Sequence, residues 1–193
     1  FGYEEFIEGI KPVLYSEEDE LEGDIISYTV TDGVFKAFCE KAAAPVIKKK
    51  DSGFTENSTV WKVSLAGTGD NPIRKDCMEK GYIRIGWDEY GPEIKEDMDY
   101  KYGGKNVLNA FINKMQIGDI VFSCFSDKTI DAIGVIEGDY EWREDLEDYM
   151  RLRAVKWLVK GIKYNILDLN QKRVMTLSTV YKLKISVADV IKI

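Results

Sequence analysis

With 193 residues, 45% hydrophobic and 12% aromatic, the chain can hold one ordinary domain plus an appendage, and it is too apolar for global disorder. Histidine is absent, which removes the commonest general base, the Ser-His and Cys-His nucleophile pairs and most zinc and iron sites, and so counts against catalysis. Net charge is -7, but ten Lys/Arg face only Asp168 and Asp189 from Arg151 onward, against twelve acids and six bases in residues 1–51 and twenty and eleven in 52–150.

Three cysteines, Cys39, Cys77 and Cys124, are far apart and lack CxxC spacing, which fits a reducing cytoplasm better than a disulfide scaffold or zinc site. No apolar run approaches the roughly 18 residues that span a bilayer, so no membrane association is expected. The start at Phe1 without Met reads as a piece of a longer protein.

In chain order, residues 1–13 read as a short helix or loop with Phe6, Ile7 and Ile10 on one side. Glu17–Glu20 is an acidic loop, and Asp24–Val30 alternates as a strand does. Thr31-Asp32-Gly33 is a turn. Val34, Phe35, Phe38, Cys39 and Ala42 then recur at helical spacing through about Ala44. Lys48–Gly53 is the best linker, which places a boundary between residues 1–52 and 53–193.

Thr59–Leu65 is a strand, Ala66–Pro72 a Gly-rich loop, and Ile73–Lys80 a helix that Gly81 ends in the left-handed region. Tyr82–Trp87 is a strand and Asp88–Tyr102 an acidic loop. Lys105–Met115 is a helix with Val107, Leu108, Phe111, Ile112 and Met115 on one face. Gly118-Asp119 turns into a buried strand, Ile120–Phe125, with Thr129–Gly138 as its return. Glu141–Met150 loops out, Leu152–Val159 and Lys163–Leu169 are strands, and Val187–Ile193 closes as a short helix or strand. Strands interleaved with two helices predict an α+β chain built on a small mixed β-barrel with flanking helices.

Trp61–Ser64, the helix, Gly81–Asp88, then Met115–Phe122 and Ile133–Ile136 together resemble the EVE/YTH branch of PUA-like domains over roughly residues 57–193. That resemblance implies a reader of modified bases built on an open barrel. A base leaving its stack gives up a few kcal/mol, an aromatic wall returns about 1–3 kcal/mol, and a buried methyl adds roughly 0.8 kcal/mol. Trp87 sits where such readers carry a cage tryptophan, and Trp142 where YTH-type readers carry another cage residue. Tyr90 is a further candidate wall. Ser64, Ser126 and Asp88 are candidates for the base edge, the serines as strand-end residues and Asp88 as an acceptor or a cap. Trp61 and Trp157 alternate with apolar neighbours and read as core. Arg151, Arg153, Lys156, Lys160 and Lys163 form the candidate phosphate-contacting set, which orients a duplex without reading it; a solvated strand face is the plain alternative.

Tyr3–Pro12 and Asp32–Ala42 resemble a stretch of the AAA+ GTPase of McrB-type restriction systems that lies between Walker A and Walker B. The chain has no G-x-x-x-x-G-K-[ST] motif and no Walker B strand, so the resemblance implies that both lie outside this sequence. This piece is then expected to bind no cofactor and to be no enzyme, while the parent protein would use GTP or ATP with Mg and act with a separate McrC-like nuclease subunit. Modified DNA is the expected partner. An RNA-binding PUA-like domain and a structural or protein-interaction insert are the alternatives. An Asp97/Asp99 enzyme has acidic composition alone in its favour.

Overall fold

The computed structural model describes residues 2, 6–12, 28–43 and 52–193. The start of the Tyr3–Pro12 motif, the acidic stretch Glu17–Glu20, the first half of the expected strand from Asp24 and the Lys48–Asp51 linker lie outside the described residues. The chain divides into two compact units, Phe1–Pro45 and Val46–Ile193.

In the first unit, strand β1 (Glu8–Pro12) pairs antiparallel with β2 (Tyr28–Asp32), from Glu8 opposite Asp32 to Pro12 opposite Tyr28. Within the stretch 1–13, expected as a helix or loop, Glu8–Pro12 is a strand. Gly9 and Pro12 are poor helix formers, and pairing with β2 supplies the backbone hydrogen bonds a helix would have made. Gly33 then opens helix α1 (Val34–Ala43). Its N–H donates to the Ile7 carbonyl at 2.8 Å, and a Cβ there would run into the Phe6 backbone. The Phe6 and Phe35 rings stack at 4.8 Å.

The second unit carries β3 (Val60–Val63), helix α2 (Pro72–Lys80), β4 (Tyr82–Ile85) and helix α3 (Lys105–Asn109), which loosens into a π turn over Ala110–Lys114. Strands β5 (Ile120–Cys124), β6 (Thr129–Trp142), β7 (Arg151–Asn165) and β8 (Val180–Lys182) follow, then a last helical turn, α4 (Val187–Val190). Six strands form one sheet in the order β4-β7-β6-β5-β3-β8, parallel between β3 and β5 and antiparallel elsewhere.

The expected barrel is corrected to an open sheet: among the described residues no ladder joins β4 to β8. β6 and β7 also run longer than expected. β6 continues through Trp142, and β7 is one strand to Asn165 rather than two, because the pair stays hydrogen-bonded across several register shifts. Those shifts break the period of two that marks a continuous strand in sequence.

Both faces of the sheet are apolar. Val60, Ile120, Phe122 and Cys124 belong to one core, while Trp61, Val63 and Val121 belong to the other, with α2 and α3. Such double coverage is why β5 is buried throughout and apolar except at Ser123, whose hydroxyl accepts from the Arg74 guanidinium at 2.8 Å. Asp119 ties the turn before β5: its carboxylate accepts from Thr59 N–H (2.9 Å), Gln116 N–H (3.0 Å) and the Trp61 indole (2.8 Å). Trp61 is thus core, as its alternation predicts. Trp157 packs against the same core, half-buried, with its indole N–H donating to the Cys77 carbonyl at 2.9 Å. Helix α2 starts at Asn71, whose side chain accepts from Arg74 N–H, and ends at Gly81 at φ 74°. No described helix is long and apolar enough to cross a membrane.

Candidate functional site

At the end of β4, Gly86 is followed by Trp87 at φ 65°, then a short turn over Asp88–Tyr90. A left-handed backbone costs a bulky residue of order 1–3 kcal/mol and persists where its surroundings over-determine it. Here the surroundings are Asp88 and Arg151. The Asp88 carboxylate accepts from Tyr149 N–H (2.8 Å) and Met150 N–H (3.0 Å), and from the Arg151 guanidinium at 3.3 Å. Arg151 in turn donates to the carbonyls of Trp87 (2.7 Å), Gly86 (3.2 Å) and Gly91. One carboxylate and one guanidinium therefore hold two chain segments together, the one carrying Trp87 and the one carrying Tyr149.

Tyr149 is also left-handed, at φ 51°, and so is Ala66, at φ 55°. These three strained residues line one cavity of about 270 Å³. Ala66 and Gly67 come from the loop after β3, and Gly86, Trp87 and Glu89 from the segment after β4. Tyr102 belongs to the loop before α3, Tyr149 to the segment before β7, and Thr179 to the approach to β8. Segments at opposite edges of the sheet thus share the lining of one cavity. Trp87 is half-buried, its indole N–H donates to the Tyr102 carbonyl at 3.3 Å, and Gly104 packs close against its ring.

The other candidates fall elsewhere. Tyr90 does not line this cavity; its hydroxyl accepts from Tyr102 N–H (2.7 Å) and donates to the Gly103 carbonyl (3.1 Å), so it orders the loop that carries Tyr102. Trp142 ends β6, on a strand and not in the expected loop, with its ring 4.9 Å from the Arg151 guanidinium carbon. Its ring lies over the buried cation. Asp88 is engaged by the clamp and not free for a base edge. Ser64 is buried and accepts from the Lys62 ammonium at 2.6 Å. Ser126 orders the β5–β6 turn, its hydroxyl accepting from Lys128 and Thr129 N–H.

The candidate phosphate set divides in two. Arg151 is fully buried and Arg153 nearly so, at 3% exposure, its guanidinium donating to the carbonyls of Phe111 (2.7 Å), Ile112 (3.0 Å) and Gly138 (3.1 Å). Neither faces solvent, which corrects their place as phosphate contacts: period two along β7 turns them into the sheet's packing. Lys156, Lys160 and Lys163 are exposed. A second cavity, about 350 Å³, is lined by Tyr100, Lys105 and the α3 asparagines, with no left-handed residue among its lining. Among the described residues no group of His, Cys, Asp or Glu could hold a metal ion.

Tyr102, Tyr149, Glu89 and Thr179 were not found from sequence. Their segments carry no periodicity, and a left-handed tyrosine leaves no residue-type signal of the kind a glycine would.

Fold and site together define a mixed α+β protein whose open sheet leaves an aromatic-walled cavity between its edges. The chain belongs to the family described as Domain of unknown function (DUF8426), whose sequence profile matches residues 61–184. No curated protein matches it. Among solved structures it is similar to the YTH domain of the Zygosaccharomyces rouxii MRB1 protein, in complex with N6-methyladenosine RNA, at 15% identity and a TM-score of 0.40, over 66% of this chain and 74% of that one.

Proposed function

We propose that the chain is a binding module that takes a modified base of DNA, methylated in the simplest case, out of its stack and into the cavity beside Trp87. The observation that carries this reading is the convergence of three strained residues, Ala66, Trp87 and Tyr149, on one aromatic-walled cavity. Strain of this kind collects at ligand sites because the ligand is what makes its cost worth retaining. The volume lies just below the ~300–1,000 Å³ range of drug-sized ligands and suits one flat ring. Trp87 gives that ring a stacking face, and Glu89, on the rim, is the nearby carboxylate acceptor for an exocyclic amine. Lys156, Lys160 and Lys163 remain as phosphate contacts.

The wider setting is proposed from sequence resemblance alone. The Tyr3–Pro12 and Asp32–Ala42 stretches resemble a McrB-type motor, in which this module would direct a GTP- or ATP-driven ring and a separate McrC-like nuclease to foreign DNA. The module itself performs no chemistry in this reading.

Fluorescence anisotropy with matched duplexes, unmodified or carrying a single 5-methylcytosine or N6-methyladenine, tests it. Wild type should prefer one modified duplex, and Trp87→Ala should weaken that complex by about tenfold to a hundredfold, the range an aromatic stack supplies. Equal affinity for all duplexes, unchanged in Trp87→Ala, would sink the reading; selective binding of the matching modified RNA alone would transfer it from DNA to RNA.

A further inference from the structure

Leu177 is 99% exposed, while the backbone on both sides of it is pinned. The Thr176 N–H donates to the Tyr181 hydroxyl at 3.0 Å. The Thr176 and Ser178 carbonyls accept from the Lys62 ammonium, at 3.3 Å and 2.6 Å. Met175, one residue earlier, is buried, and its N–H donates to the Asp127 carbonyl at 2.6 Å. Lys62 is itself buried at 1% exposure, and that burial pulls its ammonium below the ordinary lysine range, opposed by the Cys124 thiol. A charge is thus held inside the sheet, at a cost, with its donors directed to the two carbonyls that flank one exposed leucine.

A scattered surface leucine needs no explanation. This one has a position. Thr179, two residues on, lines the strained cavity, so the two Cα atoms lie within about 7 Å of each other. The loop leading to it holds the two remaining left-handed non-glycine residues among the described ones, Gln171 at φ 56° and Lys172 at φ 61°. Exposed Lys172 and Arg173 precede the leucine. All five strained positions therefore fall either on the cavity or on the loop that presents Leu177.

A base leaves a hole in the duplex when it turns out, and its orphaned partner and neighbours lose stacking. Apolar side chains such as leucine can insert between base steps, and one placed there would cover the apolar faces that such a gap exposes. We propose that Leu177 is a wedge that enters the duplex as the base enters the cavity, so that the site is built for double-stranded nucleic acid and not for a loose strand. This rests on the base-pocket reading above. Rigid carbonyl anchoring through Lys62 is what lets one side chain do this without folding back onto the protein surface.

The test uses the whole chain with one oligonucleotide carrying a single modified base, presented as a duplex and as the single strand. 2-Aminopurine placed next to the modified base and paired with thymine brightens when that base leaves the stack. Because Leu177 makes almost no contact with the fold, Leu177→Ala should fold normally. It is expected to weaken duplex binding about tenfold, to blunt the 2-aminopurine signal, and to leave single-strand binding within about twofold. Trp87→Ala should weaken both. Equal losses on duplex and strand in Leu177→Ala, or no loss on the duplex, would overturn the wedge while leaving the cavity intact. If Trp87→Ala loses nothing on either, or wild type binds neither, the base-pocket reading fails and the wedge fails with it.

Discussion

Arg151 has no exposed surface, and its guanidinium reaches three carbonyls and a carboxylate on the segment that carries Trp87. Among the described residues its ion pair is with Asp88, at 3.3 Å, with the face of Trp142 over it and Glu89 adding a further attraction. Removing Asp88 takes away the ion pair of a buried cation and frees the Tyr149 and Met150 N–H groups at once. Asp88→Ala should therefore cost about 2–3 kcal/mol of stability, discounted from the fully buried case because Asp88 is about a quarter exposed. It should also lose modified-base binding although no wall residue has changed. Urea melts beside anisotropy check this; a variant with wild-type affinity would show that the clamp does not shape the cavity. At this scale the sequence was partly legible. Trp87 is where the family resemblance places a cage tryptophan, and it lines the cavity. Asp88 and Arg151 looked like ligand contacts because charge type says nothing about whether a side chain points to solvent or into the fold.

Among the elements, β5, α2 with its Asn71 and Gly81 caps, and the Gly118-Asp119 turn follow from local rules, since apolar run, cap chemistry and glycine position each act within a few residues. The lengths of β6 and β7 do not, because bulges shift the face a residue occupies and only the partner strand fixes where. The loop before α3 is the element whose packing can be tested most cleanly. Gly103 and Gly104 both sit in the left-handed region, at φ 70° and 81°, but a Cβ on Gly104 would meet the Trp87 indole nitrogen at 2.5 Å, whereas one on Gly103 meets nothing within 4 Å. Alanine at either position carries the same backbone penalty, about 1 kcal/mol. Gly104→Ala should additionally displace the Trp87 ring and weaken base binding, while Gly103→Ala should show the stability loss alone. Equal affinities in the two variants would mean that Trp87 can shift without consequence for the ligand.

For the molecule as a whole, a net charge of -7 argues against nucleic acid until its layout is followed. Of the ten Lys/Arg from Arg151 to the end of the chain, two are inside the fold and eight are exposed. Counterion release makes this measurable: each phosphate neutralised adds about 0.9 to the salt slope of log Kobs. Converting Lys156, Lys160 and Lys163 together to Gln should flatten that slope by about 3 if all three meet phosphates, with base selectivity retained. An unchanged slope would return these lysines to the solvated strand face. The open sheet has a consequence of its own. Its two outermost strands share no ladder among the described residues, yet the segments beside both reach the same cavity. An occupant there touches the segments that flank the first and last strands of the sheet at once. A bound base would act as the missing seam of a cylinder, and the protein would be mechanically closed only while it holds its ligand.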